Sequence, residues 1–208
     1  MRTTAFTLSL MSTVCFLAPP ASTKDVSRKI QTSRSEFEVT VYVVQSCPGP
    51  DEVQKVAKTM VAELFARIHV SIRFVHSKPP RNDADAIVLQ LIEHAPYGTR
   101  PDVMGSAWIN PDPRREANVY CDRIREFYKT WDSQETGRLT GYVIAHELGH
   151  VLRAEPGHSA NGIMRACWRQ RDIVAMLQGA VRFLPEEGQQ IREAIAERRE
   201  SLSPPRGN

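Results

Sequence analysis

The chain has 208 residues, 41% hydrophobic and 25% charged, enough for one domain with a packed core and too few for two large ones. Beyond Leu17 no apolar run approaches the ~20 residues of a spanning helix, which excludes a polytopic membrane protein. Its 27 Lys and Arg against 24 Asp and Glu leave a net charge of +3, and the basic residues are scattered rather than striped, so no nucleic-acid partner is expected.

Arg2 precedes an uncharged stretch from Ala5 to Ala18, and Pro19-Pro20-Ala21-Ser22 then breaks it with small residues, the layout of a secretory signal. Residues 1–21 are expected to be cleaved near Ala21, giving a secreted or periplasmic protein with no stable membrane association afterwards. Residues 22–35 read as a flexible polar segment. Cys47, Cys121 and Cys167 of the mature chain permit one intramolecular disulfide among three pairings, and none shows C-x-x-C spacing.

A domain over residues 36–200 follows. Residues 36–44 are β-branched and aromatic and read as a strand entering a core. From Asp51 to His69, Val53, Val56, Ala57, Met60, Val61, Leu64, Phe65 and Ile68 recur at three- and four-residue steps, which predicts a long helix with one apolar face. Val70–Val75 alternates as a half-buried strand, and Ala84–Ile92 is a more continuous apolar one. Met104–Ile109 is expected as an edge strand and Asn118–Cys121 as another strand. Asp132 with Glu135 three residues on is a capping signal, so a helix is predicted over 133–153. Helices over about 170–183 and 185–199 complete an α+β fold, a mixed twisted sheet with a long helix, a site-bearing helix and C-terminal helices. Residues 201–208 read as a tail.

The chemistry concentrates at His146-Glu147-Leu148-Gly149-His150. Positions four apart on a helix stand one turn above each other, with Cβ atoms about 5–6 Å apart, so two imidazoles can converge on one zinc ion. Glu147 lies to one side of that pair, where a carboxylate can act as general base on a zinc-activated water without being a ligand. Two histidines and a glutamate on an otherwise apolar helix are costly to bury without a compensating interaction, and a metal supplies one. After His150 the residues Glu155-Pro156-Gly157 turn the chain back and present His158, eight residues on, as third ligand, leaving one position open. Met164 follows within Asn161-Gly162-Ile163-Met164.

His-Glu-x-x-His, a third His in the loop beyond and a Met in a tight turn resemble the metzincin branch of the zincin metallopeptidases. The resemblance implies a zincin fold, Zn²⁺ held by His146, His150 and His158, catalysis by Glu147, and Met164 as the Met-turn residue forming an apolar floor beneath the metal. It spans Leu139 to Trp168. The chain is similar in more detail to a set of exported bacterial zincin-like proteins with the same eight-residue step and a Gly-Ile-Met followed by Trp, here Trp168. The usual metzincin pattern has Gly three and His six residues after the second His, where this chain holds Arg153 and Pro156. Its helix is therefore expected to run longer before turning. Ala166 stands where related families place a Tyr.

The implied activity is hydrolysis of a peptide or protein substrate by a secreted, monomeric zinc metallopeptidase, with the substrate extended along the edge strand of residues 104–109. Two alternatives remain at this level: a zincin whose third ligand is Glu186 or Glu187, and an exported zinc-binding or interaction protein without hydrolytic activity. Gly149 and Gly141 are expected to mark close backbone packing, Trp108 and Trp168 core positions, Cys167 a buried apolar residue, and Arg153 and Arg165 solvated charges, with steering of an acidic substrate end as the alternative for the two arginines. His69, His76 and His94 stand apart from the cluster.

Overall fold

The computed structural model describes residues 37–45, 47–81, 83, 85–109, 115–127 and 132–202. The expected export signal, the segment after it and residues 203–208 lie outside the described residues. In chain order the elements are β1 (Phe37–Gln45), α1 (Asp51–Ala66), β2 (Val70–Val75), β3 (Ile87–Ile92), β4 (Gly105–Trp108), β5 (Arg115–Tyr120), α2 (Cys121–Phe127), α3 (Ser133–Arg153), α4 (Gln170–Leu177) and α5 (Pro185–Leu202). No described helix is long and apolar enough to cross a membrane.

The five strands form one mixed sheet in the order β2-β1-β3-β5-β4. β1, β2, β3 and β5 pair in parallel, whereas β4 runs antiparallel to β5 and ends the sheet as an edge. Parallel neighbours need crossover connections, and α1 supplies the one between β1 and β2. Val39, Val41 and Val43 of β1 alternate into the core, as do Ile87, Leu89 and Leu91 of β3 and Ala117 and Val119 of β5. α1 and α3 pack on each other and on the sheet, while α4 and α5 pack against α3. α3 is thereby covered on nearly every side: each residue from Leu139 to Leu152 is buried. Its approach to α1 is close enough that a Cβ on Gly141 would stand 2.8 Å from Met60 Cβ and 2.9 Å from the Ala57 carbonyl. This is the close packing expected at that glycine.

Four boundaries differ from the sequence reading. α1 stops at Ala66 rather than His69, because His69 takes φ 60° and its N–H bonds back three residues to the Ala66 carbonyl, turning the chain into β2. β5 begins earlier, at Arg115, and hands over at Cys121 to a helix that the sequence did not suggest. The Cys47–Cys121 disulfide holds that junction to the end of β1, closing a loop of 74 residues, a constraint on the order of 4 kcal/mol by chain entropy. α4 ends at Leu177, before Gly179 at φ 68°, and the chain then runs on to bring Phe183 against Phe65, ring centroids 4.9 Å apart. α5 continues through Leu202, two residues into the stretch read as tail.

Candidate metal centre

α3 starts where the sequence places it. The Asp132 carboxylate accepts from the N–H groups of Gln134 and Glu135, both at 2.8 Å, and the Glu135 carboxylate accepts from the Asp132 N–H. The helix then carries His146, Glu147 and His150 in its buried last three turns. Its end is built differently from a glycine turn. Ala154 takes the left-handed conformation, φ 53° and ψ 36°, with its N–H bonded to the His150 carbonyl. Arg153 reaches over the turn: Nη2 donates to the Gly157 carbonyl at 2.7 Å and Nη1 to Gln190 of α5 at 3.3 Å. Its side chain is 5% exposed, so it is an internal clamp and not the solvated charge the sequence suggested. Beyond it, the Ser159 N–H donates to the Met164 carbonyl at 2.8 Å, and its hydroxyl donates to Glu187 at 2.5 Å. Both ends of the loop that carries His158 are therefore tied down.

The three histidines meet. Nε2 of His150 lies 3.2 Å from Nε2 of His146 and 3.2 Å from Nε2 of His158, and the three ligand-capable nitrogens lie within 4.8 Å of one another. Two nitrogens on one tetrahedral zinc, each about 2.0–2.1 Å from the ion, stand about 3.3 Å apart. The other ring nitrogens are fixed by carbonyl oxygens: Nδ1 of His146 donates to Ile163 at 2.8 Å and Nδ1 of His150 to Glu155 at 2.9 Å. A carbonyl can only accept, so Nδ1 carries the hydrogen and the Nε2 lone pairs face each other. Burial lowers the pKa of all three rings, that of His146 to about 4 against the donation to Ile163, so they are neutral donors near pH 7. The cluster is consistent with a zinc site: Nε2 of His150 stands from Nε2 of each of the other two rings at about the separation that one ion sets, and among the described residues these nitrogens have only one another as partners.

Glu147 points toward β4. A Cβ on Gly105 would lie 2.6 Å from Glu147 Oε1, so this strand approaches the carboxylate as closely as glycine alone allows. Burial pushes the Glu147 carboxyl up to about 8. Met164 is fully buried, and a Cβ on Gly149 would collide with its Sδ. The approach at Gly149 is thus made by a side chain, where the sequence reading expected backbone. Trp168 stands edge-on to His146, ring centroids 5.3 Å apart at 82°.

A cleft of about 470 Å³ opens over these groups, bordered by Gly105–Ala107 of β4 on one side and by Arg165–Trp168 on the other. Cys167 lies on this border as an exposed free thiol, not a buried one, and Trp108 is 60% exposed rather than core. Arg165 also borders the cleft, held by Asp172. The alternative ligands do not join the histidines: Glu186 is exposed, and Glu187 accepts from the Ser159 hydroxyl and from the Leu184 N–H at 2.7 Å. His76 pairs with Lys58 and His94 lies near Asp122, both away from the cluster. The residues that sequence reasoning missed are Ile163 and Glu155, which act through main-chain oxygens and leave no side-chain signal, and Asp172, which holds Arg165; Glu187, read as an alternative ligand, instead anchors the His158 loop through Ser159.

No family model matches the chain, and no curated protein matches it by sequence. Solved structures do resemble it. A zinc-dependent peptidase from Methanocorpusculum labreanum is similar with a TM-score of 0.54 at 15% identity, over 73% of this chain and 99% of that one. Archaemetzincin from Methanopyrus kandleri is similar with a TM-score of 0.51 at 13% identity, over 80% of this chain and 99% of that one. At these identities the likeness shows a shared fold, that of zincin-like peptidases.

Proposed function

We propose that this chain is a zinc-dependent metallopeptidase that hydrolyses peptide bonds, with His146, His150 and His158 as the metal ligands and Glu147 as general base. The observation that carries the reading is the convergence of three imidazole Nε2 atoms beside a buried carboxyl at the floor of an open cleft. Zinc held there supplies Lewis acidity, polarising a carbonyl and acidifying water. The protein's own groups do the rest. Glu147 takes a proton from the attacking water on a carboxylate oxygen and returns it to the leaving amine, and a carboxyl drawn toward neutral pH by burial is matched to moving a proton in both directions. Trp168 packs edge-on against the His146 ring, and the fully buried Met164 fills the space beside Gly149 between the two helix histidines. β4 leaves one edge of the sheet open along the cleft, and an extended peptide adding there as a further strand would pass its scissile bond beside Glu147. Met164 acts as the apolar support of the ligand loop.

We read the protein as exported, to the periplasm or beyond the cell. The signal-like start supports this, and so does the Cys47–Cys121 disulfide, a bond that persists in oxidising compartments.

The test combines metal analysis with a peptide cleavage screen. Wild type is expected to hold one zinc per chain and to cleave. His158→Ala should lose zinc and activity together. Glu147→Gln should keep zinc while turnover falls by about 10²–10⁴-fold. A zinc-loaded wild type that cleaves no member of a broad library would favour a binding protein instead.

A further inference from the structure

We infer that the cleft selects peptides carrying a carboxylate close to the scissile bond, and that Arg165 is the residue that reads it. The inference rests on the peptidase reading and names its substrate class. Arg165 follows the buried Met164 directly and lines the same cleft as the histidines. Its guanidinium is gripped from behind: Nη1 donates to both oxygens of Asp172, at 3.0 and 3.3 Å. Asp172 is itself fixed, accepting from the Arg169 N–H at 2.7 Å at the start of α4. The Arg165 main chain is held as well, by a bridge to Ser159. Among the described residues Nε and Nη2 of Arg165 have no partner, so the fork is immobilised through one arm with the other free.

That arrangement suits carboxylate recognition. A planar fork already held in place loses little rotamer entropy on binding and can present parallel N–H donors to two oxygens. The side chain is 17% exposed, and an ion pair formed in a partly desolvated cleft is screened less than one at the surface. Asp172 offsets part of the positive charge but stands behind the guanidinium, at the α4 end. The competing acids along the cleft are both engaged. Asp102 pairs with Arg100 at 3.3 Å, and Glu147 lies buried against β4. An acidic side chain of the substrate and its C-terminal carboxylate offer the same chemistry to Arg165.

The experiment uses zinc-loaded protein and matched peptides with Asp or Glu against Asn or Gln at each position flanking the cleaved bond, each made with a free and an amidated C-terminus. Wild type is expected to favour the carboxylate-bearing member at least tenfold in kcat/KM. The Asp/Glu set reports a side-chain carboxylate and the free-acid set a terminal one. In Arg165→Gln that ratio should collapse toward one, and Arg165→Lys, which keeps the pair with Asp172, should retain part of it. Binding of the same peptides to zinc-loaded Glu147→Gln, with and without Arg165→Gln, gives a second readout independent of turnover. Equal treatment of acid and amide in both assays, or a preference that survives Arg165→Gln, overturns the inference while leaving the peptidase reading intact. A carboxylate preference in binding with no cleavage of any peptide supports the inference and sinks the peptidase reading.

Discussion

The two halves of α3 obey different rules although they are one continuous helix. From Gly137 to Val143 the helix meets α1 at near-backbone distance, and its neighbours are Val53, Val56, Ala57 and Met60. That half is held by apolar packing and tolerates no added volume. From His146 to His150 the helix is just as buried, yet it carries two imidazoles and a carboxyl, groups whose charged forms burial disfavours. The first half stabilises the fold. The second half costs stability, and the cost is offset only partly by the Ile163 and Glu155 carbonyls that fix the rings. The difference separates the two kinds of burial: a closely packed apolar face needs no partner, whereas a buried polar face with its Nε2 lone pairs unanswered points to a ligand.

The largest way to test that contrast is through Glu147 in the metal-free protein. Its carboxyl is pushed to about 8 in the fold, above the ordinary value of 4.5. The folded state then keeps a proton that the unfolded state releases. The contribution is fully present below the ordinary value and is lost as pH rises through about 8. A shift of this size corresponds to roughly 5 kcal/mol. His146 works in the opposite direction. Its pKa is depressed to about 4, so its neutral form is fully tolerated above the ordinary 6.5 and stability is lost as pH falls toward 4. Glu147→Gln should therefore remove the alkaline loss and leave the acid one. Urea unfolding of metal-free wild type and variant between pH 4.5 and 9 checks it; parallel curves for the two proteins would show that this carboxyl is not desolvated.

Two glycine substitutions on the same helix should act on opposite quantities. Gly141→Val places a branched side chain against Met60 and the Ala57 carbonyl of α1, neither of which can move away cheaply. Overpacking of that kind costs about 1–3 kcal/mol, with zinc affinity of the folded protein unchanged. Gly149→Ala should gain up to about 1 kcal/mol of helix propensity and spend most of it displacing Met164. That shift is transmitted to the Ile163 carbonyl that holds His146, and loss of such outer support typically weakens metal binding 10–100-fold. Thermal unfolding and zinc titration of both variants separate the halves. Equal effects on the two quantities would erase the distinction.

Much of this was legible in the sequence because it depended on neighbours along the chain. The Asp132 and Glu135 cap, the His146 and His150 pair one turn apart, the return of His158 after Glu155-Pro156-Gly157, and the edge position of residues 105–108 each follow from local spacing. What was not legible depends on contacts across the fold. The pairing of Cys47 with Cys121, and the helix that begins at Cys121, require β1 and β5 to be in place first. Trp108 reads as core by its type, yet among the described residues no strand lies beyond β4, and that side chain is exposed. Cys167 reads as a small apolar residue, but it falls on the cleft border. Arg153 reads as an ordinary helix-end cation until Gln190, 37 residues away, arrives beside it.

Arg153 also supplies the smallest and most discriminating test, because its charge and its shape predict opposite signs. As a cation beside the histidines it opposes a bound Zn²⁺, so removing the charge alone should tighten zinc binding. As a fork spanning the Gly157 carbonyl and Gln190 it holds the turn that delivers His158, so removing the shape should loosen it. Arg153→Lys keeps the charge and loses the two-armed reach. Zinc affinity should fall roughly three- to tenfold, below the larger losses seen when a ligand's direct partner is removed, with little change in the melting temperature of the metal-free protein. Arg153→Gln removes the charge and keeps a donor of shorter reach, and should fall between wild type and the lysine variant. Competitive titration against a chromophoric chelator ranks all three. If the glutamine variant binds zinc more tightly than wild type, electrostatic repulsion outweighs the clamp, and the helix end must be held by Ala154 and the Glu187 contact to Ser159 instead.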